Sequence, residues 1–164
     1  MYEYINKMLM ELQSDMKRLS KTPATGNFLN TNPDTKKLPE DKAQLFHHLV
    51  AKLLFLCRRT RQDIQTDVTF LCTRIKESDE DNYNKLIKVM QYIRGTRELT
   101  LTIEPSEDPK WWIDSSYAGH LDIQSHNSVV MSLGKGATCT ALTKQKLNNK
   151  SSMEVELVAI NNAM

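Results

Sequence analysis

The amino-acid sequence predicts an α+β fold in which a small helical bundle precedes a βββα unit. Three observations support this order. Apolar residues recur at helical spacing up to Gly95, they alternate with a period of two after it, and helical spacing returns after Ser151 and Ser152. The chain has 164 residues, of which 40% are hydrophobic. A chain of this size and composition can bury one core or two small ones.

The chain is predicted to begin with a short amphipathic helix within residues 1–20. From Ile5 onward, apolar residues occur at positions i, i+3, i+4 and i+7, which is one face of a helix. Residues 21–42 are predicted to be a linker, because three prolines and Gly26 interrupt both helical and strand patterns.

Three further helices are predicted within residues 43–97, and together they suggest a small bundle. Their apolar stripes run over residues 43–57, 64–75 and 83–93. Ser78 or Asp79 is predicted to cap the third helix, and Gly95 is predicted to end it.

The chain is expected to become β-structured after the third of these helices. Residues 98–110 are predicted to be a linker with a short strand, because Leu99, Leu101 and Ile103 alternate with threonines. Three strands are then predicted at residues 110–114, 128–133 and 137–143, followed by a helix that starts at the Ser151-Ser152 pair. The sequence Gly134-Lys135-Gly136 predicts the hairpin between the last two strands. Core packing is favoured for one of the two tryptophans at positions 111 and 112.

Two carboxylates are candidate metal ligands. Asp114 lies at the end of the strand that contains both tryptophans, and Glu156 lies in the last predicted helix. Divalent ions that activate water on a phosphodiester need several converging carboxylates. An aspartate on a strand and a glutamate on a helix would supply half of such a site if they meet. The other interpretation is that Asp114 caps a turn and Glu156 lies on a helix surface.

Composition favours an intracellular protein and excludes a membrane-spanning one. The formal net charge is +2 and the pI is near 8.4, which permits a nucleic-acid partner without requiring it. Cys57, Cys72 and Cys139 lack the paired spacing of a zinc site, so we expect reduced thiols. No segment has the length of a membrane span or the layout of a signal peptide. A cytoplasmic or nuclear location is therefore predicted.

Five sequence patterns resemble the pol polyprotein of copia-type LTR retrotransposons, in the stretch that joins the reverse transcriptase to its RNase H. The patterns are LFHHLVAKLLFL at residues 45–56, TRQDI at 60–64, VMQYIRGT at 89–96, DSSYAG at 114–119 and SSMEVELVA at 151–159. The family's counterparts are Y-R-x-L-V-G-x-L-x-Y-L, T-R-P-D-I, R-x-L-R-Y-L-K-G-T, D-A-D-W-A-G and S-S-T-E-A-E-Y-I-A. The resemblance covers almost the whole chain.

This resemblance implies a role for each segment. Residues 1–20 would be a helix remnant that follows the polymerase palm, residues 43–97 the thumb and connection that hold the primer–template duplex, and residues 111–164 a truncated RNase H-like domain. Asp114 and Glu156 fall on the family's first two RNase H acids. These acids bind Mg²⁺ for the cleavage of RNA in an RNA–DNA hybrid.

The sequence also departs from the family's pattern. The Tyr-x-Asp-Asp box of the polymerase is absent, so DNA synthesis is excluded, because paired palm aspartates bind the polymerising metals. Eight residues follow Glu156, and two later acids of the RNase H site have no counterpart among them. We therefore expect an incomplete RNase H-like βββα unit with an open sheet edge and without nuclease activity.

A basic set of residues is the second candidate site. Arg58, Arg59, Arg61, Lys88 and Arg94 are predicted to contact the phosphate backbone of an RNA–DNA hybrid or duplex, weakly and without sequence preference. The other interpretation is a solvated helix junction. Two rival hypotheses for the whole chain follow: a noncatalytic helical module that binds nucleic acid, and an inert pseudogene product.

Overall fold

A computed structural model describes residues 1–12, 16, 18–26, 28–104, 108–116, 125–147 and 149–163. The chain divides into two compact units, residues 1–100 and 101–164. The first contains α1 (Tyr2–Met10), α2 (Glu40–Arg59), α3 (Gln65–Thr73) and α4 (Glu80–Gly95), with 3-10 turns at Gln62–Ile64 and Ile75–Glu77. The second contains β1 (Lys110–Ser116), β2 (His126–Ser132), β3 (Cys139–Lys144) and α5 (Ser152–Ala163). The predicted α+β class is confirmed.

The helices of the first unit share one hydrophobic core, which contains 21 buried residues among those that the structure describes. The predicted apolar face of α1 lies in this core, which also receives a side chain from the predicted 21–42 linker. Phe28 of that segment is buried and packs edge-on against Phe70 of α3, with ring centroids 5.6 Å apart. The backbone of the same segment bonds to the residues before α4, since the Leu38 N–H donates to the Ser78 carbonyl at 3.1 Å. No described helix combines the length and apolarity needed to cross a bilayer.

The two ends of α4 are satisfied by different kinds of contact. Asp79 is the N-cap, as one of the two predicted candidates, and its carboxylate accepts a hydrogen bond from the Asn82 N–H at 2.7 Å. Gly95, the predicted terminator, is the last helical residue and has no positive φ. Thr96 is the C-cap instead, because its N–H and its hydroxyl both donate to the Tyr92 carbonyl.

The second unit contains an antiparallel sheet with strand order β1-β2-β3. All three predicted strands are present, and α5 packs mainly on β1. The loop between β2 and β3 contains Gly136 at φ +77, a conformation that a side chain strains. A Cβ at this position would lie 2.2 Å from the Thr102 carbonyl oxygen. The predicted hairpin therefore depends on glycine there.

Two expectations for the second unit are wrong. Residues 99–104 form no strand, because β1 and β3 each pair with β2 and the 99–104 segment joins neither edge of the sheet. The Glu104 N–H instead donates to the Lys135 carbonyl in the loop between β2 and β3, at 3.2 Å. Neither tryptophan enters a core, since Trp111 is 51% and Trp112 is 53% exposed. The reason is the position of β1 at the edge of the sheet, where α5 covers the other end of the strand.

The face of α5 that packs on the sheet does not contain the largest apolar residues of the helix. Met153, Leu157 and Ile160 share a helical face, yet all three are exposed. Val155 and Ala159 are fully buried instead. Small side chains allow the helix axis to approach β1 closely, and this brings the neighbouring residue, Glu156, to the strand.

Candidate metal centre

Asp114 is presented by an edge strand. It is the fifth residue of β1 and is paired with Ser128 of β2. Successive side chains of a strand point to opposite faces. Ile113 and Ser115 therefore lie on one face and are half-buried, whereas Asp114 lies on the other and is exposed. The edge position leaves its carboxylate accessible to a ligand.

Glu156 is presented by the first turns of α5, whose start is fixed by a local capping arrangement. The Glu154 N–H donates to the Ser151 hydroxyl at 3.3 Å, and a Glu154 carboxylate oxygen accepts from the Lys150 N–H at 2.7 Å. Glu154 therefore supports the start of the helix. The two glutamates therefore have different roles. Glu154 forms hydrogen bonds at the helix start, whereas Glu156 takes no part in these bonds and is exposed beside the strand.

Asp114 and Glu156 line the same recess, which has a volume of about 110 Å³. Ile113, Ser115, Ala159 and Ile160 complete its lining. One oxygen of Asp114, Oδ1, accepts a hydrogen bond from the Ser115 N–H at 2.9 Å. That bond restrains the carboxylate and leaves Oδ2 for a ligand.

The recess offers the type of ligand atom that a hard cation prefers, but it supplies few such atoms. Carboxylate oxygens are the donors that Mg²⁺ prefers, and Mg²⁺ takes six oxygen ligands, several of them water. If both carboxylates turn to the same ion, Asp114 and Glu156 would fill two of these positions. Within the described residues no group of three or more His, Cys, Asp or Glu side chains is placed to hold a metal ion. These two acids therefore fit a single, largely hydrated cation.

Two polar residues beside the recess were not predicted from the sequence. Ser115 lines the recess, and its hydroxyl is buried and has no hydrogen-bond partner among the residues that the structure describes. Gln145 follows β3 and is buried beneath α5, where its side-chain amide donates to the Val155 carbonyl at 3.0 Å. In the sequence, Gln145 lies between two lysines and reads as part of a charged turn, so no local signal marks it as buried.

Arg61 does not belong to the candidate nucleic-acid interface. It is only 1% exposed, and its guanidinium donates to both carboxylate oxygens of Asp63 at 2.8 and 2.9 Å and to the Thr96 carbonyl at 3.0 Å. Burial acts to raise the pKa of Asp63, but hydrogen bonds from Arg61 and Tyr92 outweigh it and hold that pKa below its usual value. Arg61 therefore joins α4 to the segment after α2, and it cannot reach a phosphate.

The other four predicted cations have different environments. Arg58 and Arg59 are exposed at the C-terminal end of α2, where Arg59 also lies 5.5 Å from the centre of the Phe55 ring. Arg94 is exposed, but one of its nitrogens donates to the Met16 carbonyl at 3.0 Å. Lys88 is half-buried on α4. Arg58, Arg59 and Lys88 remain the best placed of the set to meet a phosphate.

Lys88 lines a cavity of about 380 Å³ between α4 and a segment formed by Thr25 and residues 28–32. The rim is fixed by Lys85, whose ammonium bonds to the Asp81 carboxylate at 2.7 Å and to the Asn30 carbonyl. The Asp81 charge is thereby matched, and Lys88 adds a positive charge to the lining. Its remaining polar groups are amides and hydroxyls, contributed by Thr25, Asn30, Thr31, Asn32 and Asn84.

No family model, no curated protein and no solved structure matches this chain. A function can therefore be assigned to the recess and to the basic residues only from their chemistry in this chain and from the sequence patterns that resemble the copia-type polyprotein. The recess offers two carboxylates to a cation, and the helical unit offers exposed cations to an anion.

Proposed function

We propose that this chain is a piece of a copia-type retrotransposon polyprotein and that its second unit carries part of a Mg²⁺-dependent RNase H centre. The observation that carries the proposal is that Asp114 and Glu156 line the same recess. These are the two residues that the sequence resemblance selects from 20 acidic residues. Asp114 and Glu156 lie in two of five motifs that occur in the same order as in the family, and a chance pairing of a strand aspartate with a helix glutamate would not be expected to do so.

The chemistry of the proposed centre is hydrolysis of a phosphodiester in the RNA strand of an RNA–DNA hybrid. A bound Mg²⁺ would supply a Lewis acid and lower the pKa of a coordinated water. The role of Asp114 and Glu156 is to hold that ion beside the substrate phosphate. Two carboxylates are too few for a two-metal site, so we expect these residues to bind one cation weakly and not to sustain hydrolysis by themselves.

The proposal is tested with the full chain, a labelled RNA–DNA hybrid and Mg²⁺. We expect measurable Mg²⁺ binding that Asp114→Asn and Glu156→Gln each abolish, and no cleavage above that of the two variants. Failure of the unaltered chain to bind Mg²⁺ would reject the metal centre. Cleavage that depends on both acids would show a complete catalytic site and overturn the half-site interpretation.

A second candidate function is noncatalytic binding of nucleic acid by the helical unit. It is favoured by the exposed pair Arg58 and Arg59 and by Lys88, which lines a cavity of about 380 Å³. Such contacts would act on phosphates and give affinity without sequence preference.

Salt dependence separates this function from the first. We expect duplex binding that weakens with rising salt, with a slope that falls by about one for each of Arg58→Ala and Lys88→Ala. Lys42→Ala is the matched control, because Lys42 is exposed at the opposite end of the same helix as Arg58. No binding at low ionic strength would reject the function, and equal losses in all three variants would reject this interface.

A further inference from the structure

We propose that Gln145 is a positioning residue that holds Glu156 at the recess by fixing the first turns of α5. This inference rests on the proposed function, because it assigns a role around the same two carboxylates. Gln145 belongs neither to the resemblance motifs nor to the predicted metal ligands, and it is not part of the recess lining. It acts through the backbone of the helix.

The side chain of Gln145 is buried and fully hydrogen-bonded. It is 2% exposed, and its amide nitrogen donates to Asn127 Oδ1 on β2 and to the Val155 carbonyl on α5, the latter at 3.0 Å. Its amide oxygen accepts from Asn149 Nδ2, and its backbone N–H donates to the Ser125 carbonyl at 2.8 Å. Both amide hydrogens and the amide oxygen are therefore used. Loss of this side chain would break the link between Asn127 on β2 and Val155 on α5 and would remove the partner of the buried Asn127 Oδ1.

The hydrogen bond from Gln145 to the Val155 carbonyl acts on the peptide group directly before Glu156. The Val155 carbonyl belongs to the peptide bond that joins Val155 to Glu156, so a donor on this carbonyl restrains the plane from which the Glu156 side chain departs. A helix carbonyl has a second lone pair beyond its intrahelical bond. Gln145 can therefore hold this peptide without breaking the helix.

Few buried side chains fix the orientation of α5 among the residues that the structure describes. Only Val155 and Ala159 are buried among the described residues of this 12-residue helix, and the larger apolar residues Met153, Leu157 and Ile160 are exposed. Short helices are held mainly by tertiary packing, and two small side chains provide little. A directional bond from the sheet side at Gln145 therefore has a large share in setting the rotation of α5, and with it the direction of Glu156.

The test compares Mg²⁺ affinity in the full chain and in Gln145→Met, which keeps the side-chain length and removes both donors. Metal affinity typically falls about 10- to 100-fold when a residue that orients a ligand is changed, so we expect the Mg²⁺ affinity of the variant to be about tenfold lower. The affinity is measured from the shifts of amide resonances during Mg²⁺ titrations. Without metal, amide hydrogen exchange at residues 155–160 should become faster. An affinity within about twofold of the unaltered chain would overturn the inference.

A matched control distinguishes positioning from general stability. Ser132→Ala changes another buried polar side chain of β2, one that bonds to Gly134 at the opposite end of the strand from Asn127. It should destabilise the unit and leave Mg²⁺ affinity unchanged. An equal affinity loss in Ser132→Ala would show that stability alone is responsible, and it would overturn the positioning role.

Two outcomes separate this inference from the proposed function. If the unaltered chain binds no Mg²⁺ at Asp114 and Glu156, the metal centre fails and the positioning role fails with it. If the unaltered chain binds Mg²⁺ and Gln145→Met binds it equally well, only the positioning role fails. Should Gln145→Met not fold, Asn127→Ser removes one anchor of the amide and leaves Gln145 in place. Weaker Mg²⁺ binding in Asn127→Ser would then support the inference, and unchanged binding would overturn it.

Discussion

Arg61 shows how burial decides the role of a charged residue. In the sequence it belongs to the run Arg58-Arg59-Thr60-Arg61, where each arginine looks equally able to meet a phosphate. The fold separates them, because Arg61 turns inward to Asp63 and Thr96 while Arg58 stays exposed. The charge pattern of the sequence does not predict which arginine is buried, because burial depends on where α4 ends relative to α2.

We predict that Arg61→Ala lowers the free energy of unfolding by about 3 kcal/mol, because it removes the guanidinium donors to the Asp63 carboxylate and the Thr96 carbonyl and leaves Tyr92 as the side-chain donor to Asp63. Urea unfolding followed by circular dichroism measures this change. Arg58→Ala is the control on the same segment, and its effect should lie within about 0.5 kcal/mol. Equal effects of the two substitutions would contradict the buried role of Arg61.

Asp67 provides a prediction with a defined pH dependence. Burial, aided by the Asp63 carboxylate, raises the pKa of Asp67 to about 6, whereas an unfolded aspartate has a pKa of about 3.9. Between these values the folded chain binds more protons, so stability falls as the pH rises from about 4 through about 6. By neutral pH the loss approaches about 3 kcal/mol, because each tenfold difference in proton affinity between the folded and unfolded chains corresponds to about 1.4 kcal/mol.

Asp67→Asn removes this titration. We expect the stability of the variant relative to the unaltered chain to rise by up to about 3 kcal/mol between about pH 4 and about pH 7, measured by urea unfolding at both pH values. Asp34→Asn in an exposed loop is the control. A difference that does not change with pH would disprove the raised pKa of Asp67.

At the scale of elements, regular periodicity was enough to predict most of the secondary structure. The helices from residue 43 onward, the three strands, and the start of α5 at the Ser151-Ser152 pair all follow from spacing and capping. The 99–103 segment shows the limit, because alternation describes a strand only where a partner strand is available. The inward face of α5 is a second limit, since size favoured Met153 and Leu157 while close packing selected Val155 and Ala159.

The turn between β2 and β3 provides a prediction at this scale. Gly136→Ala should destabilise the second unit by at least about 1 kcal/mol, because the new Cβ would meet the Thr102 carbonyl oxygen and φ is positive. Gly26→Ala, where nothing lies within 4 Å of the new Cβ, is the control and should be neutral or slightly stabilising. Tryptophan fluorescence during urea unfolding measures the first variant, and a neutral result for Gly136→Ala would contradict the strained turn.

At the scale of the whole molecule, the buried apolar side chains are divided very unevenly. The 21 described residues of the hydrophobic core all lie in residues 1–100, whereas Val155 and Ala159 are the buried apolar residues of the described part of 101–164. The sequence did not predict this imbalance, because both halves contain enough apolar residues to fill a core. In the second unit several of those residues, Trp111 and Trp112 among them, remain at the surface.

This imbalance predicts two separate unfolding transitions. Both tryptophans of the chain lie in β1, so their fluorescence reports the second unit, while far-ultraviolet circular dichroism reports mainly the helices of the first. We expect the fluorescence transition at a lower urea concentration, because less apolar surface is buried there. Coincident transitions would show that the chain unfolds as one cooperative unit.

The most direct test of the recess as a cation site is the paramagnetic effect of Mn²⁺, which favours the same carboxylate ligands as Mg²⁺, on the amide resonances of the full chain. We predict selective broadening at residues 113–115 and 155–160, and its loss in both Asp114→Asn and Glu156→Gln. Broadening that is centred elsewhere, or that persists when either carboxylate is neutralised, would contradict a shared cation site at Asp114 and Glu156.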